Sequence, residues 1–155
     1  MQTLNNTKQF LVICYIFLIA GCSEPVALIQ QDDCSSYKEI SFLNYDSLKS
    51  DPITLLSATI EGDCLKLTLQ YGGGCEEHQV DLALILPVCG TPPLPPPTFE
   101  IRHDAKGDAC KALITEEYSF DLSGIREDGK SETEFILISK DSSGTPSGKT
   151  YTYSY

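Results

Sequence analysis

Alternation of apolar and polar residues dominates the chain from residue 53 onward. In the segment 64–71 every second residue is apolar, ending at Tyr71, and the residues between them are mostly polar. A period of two is typical of a β-strand with one buried face. The segments 53–60 and 80–88 also read as strands, and the glycines at 72–74 favour a tight reversal because glycine adopts positive φ readily.

The second half of the chain continues as short strand-like segments between glycine- and proline-rich connections. Four further strands are predicted, at 98–103, 111–122, 132–140 and 149–155. The proline-rich run 92–97 fits neither a helix nor a central strand, so it predicts an exposed, polyproline-like crossing. About seven short strands and no convincing long helix predict an all-β fold, for which we expect an antiparallel β-sandwich, immunoglobulin-like or related.

Two segments of this pattern leave alternatives open. Residues 34–51 are compatible with a short strand, a loop, or one or two helical turns. The last strand places Tyr151, Tyr153 and Tyr155 on one face. Such a stripe binds carbohydrate or protein in some cases, and we interpret it here as an edge strand whose tyrosines pack on a neighbouring sheet.

A different pattern occupies the start of the chain. Lys8 precedes an unbroken apolar run at 10–18, and the small residues Ala20 and Gly21 follow. A charged start, a short apolar core and small residues in this order are typical of an export signal. A membrane-spanning helix needs about twenty apolar residues, roughly twice the length of this run. We therefore predict a leader that is cleaved.

The end of the leader adds a lipid anchor. Residues 19–22, Ile-Ala-Gly-Cys, resemble the lipobox of bacterial lipoproteins, in which a diacylglyceryl group is joined to the cysteine sulfur and the chain is cut before that cysteine. We divide the chain into a signal peptide at 1–21, a lipidated tether at 22–33 and a β-sandwich domain at 34–155. The expected location is the outer membrane, on its periplasmic or its surface-exposed face, with the lipid on Cys22.

Charge limits the partners of the chain. It carries 11 basic and 22 acidic residues, a formal net charge of −11. The leader contains Lys8 and no acidic residue, so the predicted mature protein carries 10 minus 22, or −12. Such a protein lacks the cationic face that phosphate binding requires, which excludes nucleic acid. Electrostatics will not draw it to anionic lipid either, so the lipid on Cys22 must hold it at the membrane.

Cysteine usage predicts disulfides. Cys14 leaves with the leader and Cys22 takes the lipid, and five cysteines remain for the domain: Cys34, Cys64, Cys75, Cys89 and Cys110. An exported domain meets an oxidising compartment, where disulfides are the default. Cys75 and Cys110 each lie beside a glycine-containing turn that precedes a strand, so one bridge joins them if both turns lie at one end of the sandwich. The second bridge pairs Cys34 with Cys64 or with Cys89, and one thiol is left over.

The same two turns carry a resemblance to a known family. A Gly-Gly-Cys turn that ends at Cys75 is followed by His78, and Asp108 stands two residues before Cys110. Over residues 53–123 the chain resembles the NigD-like lipoproteins and related uncharacterised lipoproteins of the Bacteroidetes. The resemblance implies a β-sandwich-like domain on a lipidated tether in a Gram-negative envelope, and it implies no reaction.

Metal binding is the alternative for these turns. Cys75 and His78 have the spacing of metal ligands, and His103 with Asp104 or Asp108 would complete a zinc site. The disulfide is preferred because oxidation removes the thiolate. We therefore predict no bound cofactor apart from the covalent lipid, and we keep a metal-binding envelope domain that uses Cys75, His78 and His103 as the rival hypothesis.

Catalytic motifs are missing from the sequence. It contains no G-x-S-x-G elbow, no S-x-x-K and no H-E-x-x-H. Glu116 and Glu117 are adjacent, so on a strand they point to opposite faces and cannot act as one carboxylate pair. We expect a protein that is not an enzyme: a non-catalytic interaction module with an unidentified envelope partner.

Overall fold

The computed structural model of the protein describes residues 34–87, 94–140 and 143–155. These ranges contain nine β-strands and two 3-10 helices, Phe42–Ser47 and Ser123–Ile125. The strands are β1 (Ser35–Ser36), β2 (Lys38–Ser41), β3 (Thr54–Glu61), β4 (Cys64–Gly73), β5 (Gln79–Leu86), β6 (Thr98–Asp104), β7 (Ala112–Asp121), β8 (Glu132–Lys140) and β9 (Pro146–Ser154). Within the described ranges, no helix is long and apolar enough to cross a bilayer.

The strands form two sheets, which confirms the predicted all-β sandwich. Sheet A has the order β1-β7-β4-β3, and sheet B has the order β2-β5-β6-β8-β9. All seven predicted strands are present. The two additional strands, β1 and β2, lie in the segment that the sequence left undecided, and they are only two and four residues long. Strands this short offer too few positions for an alternating pattern to be visible.

Both sheets are mixed, which corrects the antiparallel prediction. Three pairs are parallel: β1 with β7, β2 with β5, and β6 with β8. The chain leaves sheet B after β6, passes through β7 in sheet A and returns as β8, so β6 and β8 run in the same direction. The partners of β1 and β2 lie far along the chain, and no hairpin imposes an antiparallel direction on them.

The interior of the sandwich holds the apolar faces of the alternating strands. Leu65, Leu67 and Leu69 of β4 are fully buried, at the positions that the alternation predicts. From the opposite sheet, Phe99 and Phe135 meet edge to face, with ring centroids 5.6 Å apart. This geometry suits the quadrupoles of two aromatic rings.

The three tyrosines of the C-terminal stripe make contacts within the domain. Strand β9 is an edge of sheet B, and Tyr153 is fully buried. Tyr151 stacks on Phe135 with ring centroids 5.7 Å apart. The Tyr155 hydroxyl accepts a hydrogen bond from the backbone N–H of Glu127 at 2.8 Å. These tyrosines therefore tie β9 to its own domain.

The two ends of the sandwich are distinct. At one end, residues 61–64 connect β3 to β4, and Cys64 pairs with Asp121 at the end of β7; we call it the Cys64 end. At the other end, Gly73 pairs with Ala112 at the start of β7; we call it the Cys75 end. Strand β5 starts at the Cys75 end and β6 finishes there, since short connections link them to β4 and β7.

A segment at residues 42–50, which we call the covering segment, crosses the outer face of sheet B. It finishes in a bridge between Ser50 and His103 of β6. The Tyr45 hydroxyl donates to Glu100 Oε2 at 2.5 Å, and the Arg102 guanidinium lies 4.1 Å from the centroid of the Tyr45 ring. Glu100 and Arg102 form a buried ion pair at 3.3 Å.

Candidate functional site

The turn after β4 brings its backbone against His78 at the Cys75 end. A Cβ atom on Gly73 would lie 2.5 Å from His78 Nε2 and 3.0 Å from Asp108 Oδ2, so the site requires a residue without a side chain. Gly74 has φ of 111°, which other residues adopt only with strain. The glycines that predicted a reversal thus also make room for an imidazole.

Asp108 holds the two cysteine-bearing turns together. Its Oδ2 accepts the backbone N–H groups of Cys75 at 2.9 Å and Glu76 at 3.0 Å, and its Oδ1 accepts that of Cys110 at 2.8 Å. Cys75 and Cys110 are joined by a disulfide. The N–H groups of Cys110, Cys75 and Glu76 hold the pKa of Asp108 well below its usual range. A carboxylate with several such donors stays ionised.

His78 contacts this carboxylate, and His103 contacts His78. His78 Nε2 is 3.2 Å from Asp108 Oδ2, and His78 Nδ1 is 2.8 Å from His103 Nε2. His103 Nδ1 is 3.1 Å from the carbonyl oxygen of Pro52. The Tyr71 ring packs on both imidazoles, at centroid distances of 4.7 and 4.8 Å. Since the sequence contains two histidines, every imidazole nitrogen of the protein has a polar partner within the fold.

These partners constrain the direction of the hydrogen bonds that the two imidazoles make. The Pro52 carbonyl and the Asp108 carboxylate only accept hydrogen bonds, so the ring nitrogens that face them must donate. The contact between the two rings needs one further hydrogen.

A positive charge on His103 is disfavoured. Burial lowers the pKa of His103, and the charge of His78 lowers it further. Full protonation would also set two N–H groups against each other across the 2.8 Å contact. Burial and the contact with His78 therefore favour a neutral His103, with its hydrogen on Nδ1 toward the Pro52 carbonyl.

A cleft of about 420 Å³ opens beside the histidines, lined in part by β7. Glu116 Oε2 accepts the hydroxyls of Tyr71 at 2.7 Å and Tyr118 at 2.8 Å. Hydrogen bonds from Tyr71 and Tyr118 lower the pKa of Glu116, and burial raises the pKa of Tyr118. The cleft thus presents one carboxylate between two neutral phenols, with the exposed Glu76 and Glu77 also in its lining.

The structure assembles the predicted metal ligands only in part. Cys75 and Cys110 are bonded to each other, so neither offers a thiolate. His78 and His103 are close, and both nitrogens of each ring face protein partners. A different set with metal-like spacing, Cys75, Asp108 and Cys110, has ligand atoms within 4.8 Å of one another and includes neither histidine. In the oxidised protein this donor set does not suit a metal ion.

Cys34 forms the second disulfide with Cys64, one of its two predicted partners. Cys64 is only 1% exposed, although its strand position is on the polar face. The other predicted partner, Cys89, lies outside the described residues. So do Cys22, with the rest of the leader and tether, and the first part of the proline-rich run.

Sequence reasoning missed the role of Glu116 and its tyrosines. The alternation predicts that Tyr71 lies on the same face of β4 as its leucines, but the neighbours of Tyr71 depend on how β7 pairs with that strand. In the structure Leu69 pairs with Glu116, and this register brings the exposed glutamate beside the Tyr71 hydroxyl. The alternation of apolar and polar residues in β7 is too imperfect to predict this register.

The sequence of the domain matches the NigD-like C-terminal beta sandwich domain over residues 36–155. The chain belongs to this family. The match covers most of the chain and confirms the resemblance carried by the two cysteine-bearing turns. No match is found among functionally curated proteins.

Solved structures show the same fold in other NigD-like and uncharacterised proteins. A protein of unknown function from Bacteroides vulgatus superimposes with a TM-score of 0.59 at 16% identity, covering 79% of this chain and 56% of that one. A putative toxin-related protein from Parabacteroides distasonis gives 0.60 at 19% identity, with coverage of 78% and 61%. A NigD-like immunity protein from Bacteroides caccae gives 0.57 at 16% identity, with coverage of 77% and 64%. This chain thus spans less than two thirds of each of these proteins.

Proposed function

We propose that this NigD-like protein is a lipid-anchored, non-catalytic binding module of a Gram-negative envelope. The observation that carries the proposal is the complete engagement of its two histidines. A general base must be able to take a proton from a substrate. Here His103 donates to the Pro52 carbonyl, and His78 lies between His103 and Asp108. The imidazoles therefore serve to hold the Cys75 end together.

The proposed binding surface is the cleft beside Tyr71. The ionised Glu116 and the exposed Glu76 and Glu77 give it a negative surface, and a disulfide holds the adjoining turns. A negative surface on a rigid frame suits a basic group on a partner protein. The relative from Bacteroides caccae is described as an immunity protein, and we extend this role to the chain: it protects its cell by binding another protein.

Anchoring is supported by the lipobox-like residues 19–22. Growth of a Bacteroidetes host with radiolabelled fatty acid should label the wild-type chain and leave the Cys22→Ser variant unlabelled. The wild-type protein should fractionate with membranes. An unlabelled wild-type chain, or one that retains its leader, would refute the anchor.

Binding at the cleft can be tested with a photo-crosslinking amino acid in the full-length protein in its native host. Placed at Glu77, on the cleft, it should capture a discrete envelope protein. Placed at the exposed Glu117, on the outer face of β7, the same amino acid should not capture that protein. A further Glu116→Gln change should weaken the capture from position 77. Equal capture from both positions, or none from either, would contradict a binding role for the cleft.

A further inference from the structure

Three large apolar side chains are exposed at the Cys64 end. Phe42 is 62% exposed, Leu43 is 78% exposed and Leu94 is 62% exposed. Phe42 and Leu43 follow directly on β2, whose last residue pairs with Leu86 at the end of β5. Leu94 lies four residues before the start of β6 at Thr98, which is at this same end of the sheet. Most of the large exposed apolar side chains of the described residues therefore share one end.

The chain enters the domain at this end. The Cys34–Cys64 disulfide fixes the entry point beside the connection from β3 to β4. Twelve residue steps separate Cys34 from Cys22, so even a fully extended tether spans at most about 40 Å. An anchor at Cys22 would thus keep the Cys64 end near the bilayer.

We propose that the Cys64 end docks on the lipid surface through Phe42, Leu43 and Leu94. The inference rests on the proposed lipid anchor and adds a second contact, one that sets the orientation of the domain. Exposed aromatic and aliphatic side chains are the groups that enter the boundary between headgroups and acyl chains. The ten residues of β4 place the Cys75 end roughly 30 Å farther from the membrane, and the cleft faces a partner there.

Charge at this end selects the kind of lipid. Lys66 pairs with Glu61 at 2.5 Å, Lys130 pairs with Glu127 at 2.7 Å, and Arg126 pairs with Asp63. The cations are thus matched by carboxylates, and further acidic residues, Asp121, Asp128 and Glu132, remain at the same end. Such a surface suits a zwitterionic bilayer and is repelled by an anionic one.

Tryptophan fluorescence can test the docking directly, because the chain contains no tryptophan. Two single-tryptophan proteins, Phe42→Trp and Leu43→Trp, would be purified as full-length lipidated chains and reconstituted in phosphatidylcholine vesicles. Brominated acyl chains quench only a tryptophan that reaches the bilayer. We expect a blue-shifted emission and loss of most of the fluorescence for both variants. Addition of phosphatidylglycerol should reduce the quenching.

Leu113→Trp supplies the matched control. Leu113 is 70% exposed, and it lies at the Cys75 end. Its fluorescence should be the same with and without brominated lipid. Intact mass and circular dichroism would establish that all three variants keep their disulfides and their fold.

The outcomes separate the docking from the anchor. A protein that carries fatty acid on Cys22 but shows no quenching at positions 42 and 43 overturns the docking alone. A protein without fatty acid overturns the anchor, and the docking with it. A blue shift that appears without vesicles and grows with protein concentration would assign the surface to a second copy of the chain. Equal quenching at position 113 would show that the domain has no fixed orientation on the bilayer. Either result overturns the inference.

Discussion

Asp108 and the two histidines show how neighbouring atoms set the protonation of single residues. Backbone N–H groups stabilise the ionised Asp108 carboxylate, and burial favours the neutral form of His103. The buried Glu100 and Arg102 are less well satisfied, because Glu100 Oε1 and Arg102 Nε have no hydrogen-bond partner in the described part of the protein. Glu100 Oε1 is 3.6 Å from Lys140 Nζ. Individual residues thus decide which parts of the molecule respond to pH and to mutation.

The lowered pKa of His103 gives the stability a pH dependence. A histidine whose folded pKa lies below its unfolded value of about 6.5 stabilises the fold fully above that pH and loses this contribution as the pH falls. We expect the stability advantage of the wild type over His103→Gln, measured by urea unfolding, to shrink between pH 7.5 and pH 5. An advantage that grows on acidification would contradict the assignment of His103 as the neutral ring.

Tyr45→Phe tests the buried ion pair. The change removes the hydroxyl that donates to Glu100 while it preserves the ring beneath Arg102. Loss of one hydrogen bond to a buried charge should cost about 1–3 kcal/mol of unfolding free energy, measured by chemical denaturation. Thr152→Ala, at an exposed position of β9, should cost less than about 0.5 kcal/mol. Equal effects of the two changes would show that the Tyr45 hydroxyl does not stabilise Glu100.

At the scale of elements, each disulfide fastens a weak part of the strand framework. Cys34–Cys64 holds β1, which contributes only two residues to its sheet. Cys75–Cys110 joins the connections on either side of the β4–β7 pair. The strands supply regular hydrogen bonding, and the disulfides fix the irregular chain at their ends. The cleft depends on the constraint from the Cys75–Cys110 disulfide.

Removal of the Cys75–Cys110 bridge should loosen the cleft. The bridge closes a loop of about 36 residues, for which chain entropy gives about 4 kcal/mol. The double variant Cys75→Ser/Cys110→Ser should lose a comparable free energy of unfolding, and amide exchange should increase in residues 74–78. The double variant Cys34→Ser/Cys64→Ser is the control, because it closes a loop of similar length at the other end. Protection of residues 74–78 that changes equally in both variants would refute a local role.

At the scale of the whole molecule, the two ends of the sandwich carry different features. The chain enters at the Cys64 end, and the histidine pair and the cleft lie at the Cys75 end. A net charge of −11 over the full chain attracts any basic partner at long range. The shape of the cleft would select among such partners at close range. A partner held at the Cys75 end would meet a domain already oriented by its anchor.

The thiol count of the mature protein is a whole-molecule prediction. Five cysteines follow Cys22, and the two bridges use four of them. Denaturation of the lipidated protein without reductant, followed by alkylation, should add one label per chain, and reduction beforehand should add five. Three or five labels before reduction would show that a bridge is absent in the protein from its native compartment.

Local chemistry explains what the sequence by itself determined. The period-two apolar pattern of β4 determined a strand with a buried leucine face, since the side chains of a strand alternate between its two faces. The glycines at 72–74 determined a reversal, and the two cysteine-bearing turns determined the family. Each of these signals is contained within a few consecutive residues, so no knowledge of distant contacts is needed to read it.

Tertiary structure alone decided the rest. The parallel pairings of β1 with β7 and of β2 with β5, the partner of Cys34 and the position of Glu116 beside Tyr71 all depend on contacts between segments far apart in the chain. The hydrogen bonds of His78 and His103 depend on the contact between the two rings and on Asp108 and Pro52, which lie in separate connections. Sequence spacing carries no information on such contacts, because the packing of the two sheets sets the distances between these atoms.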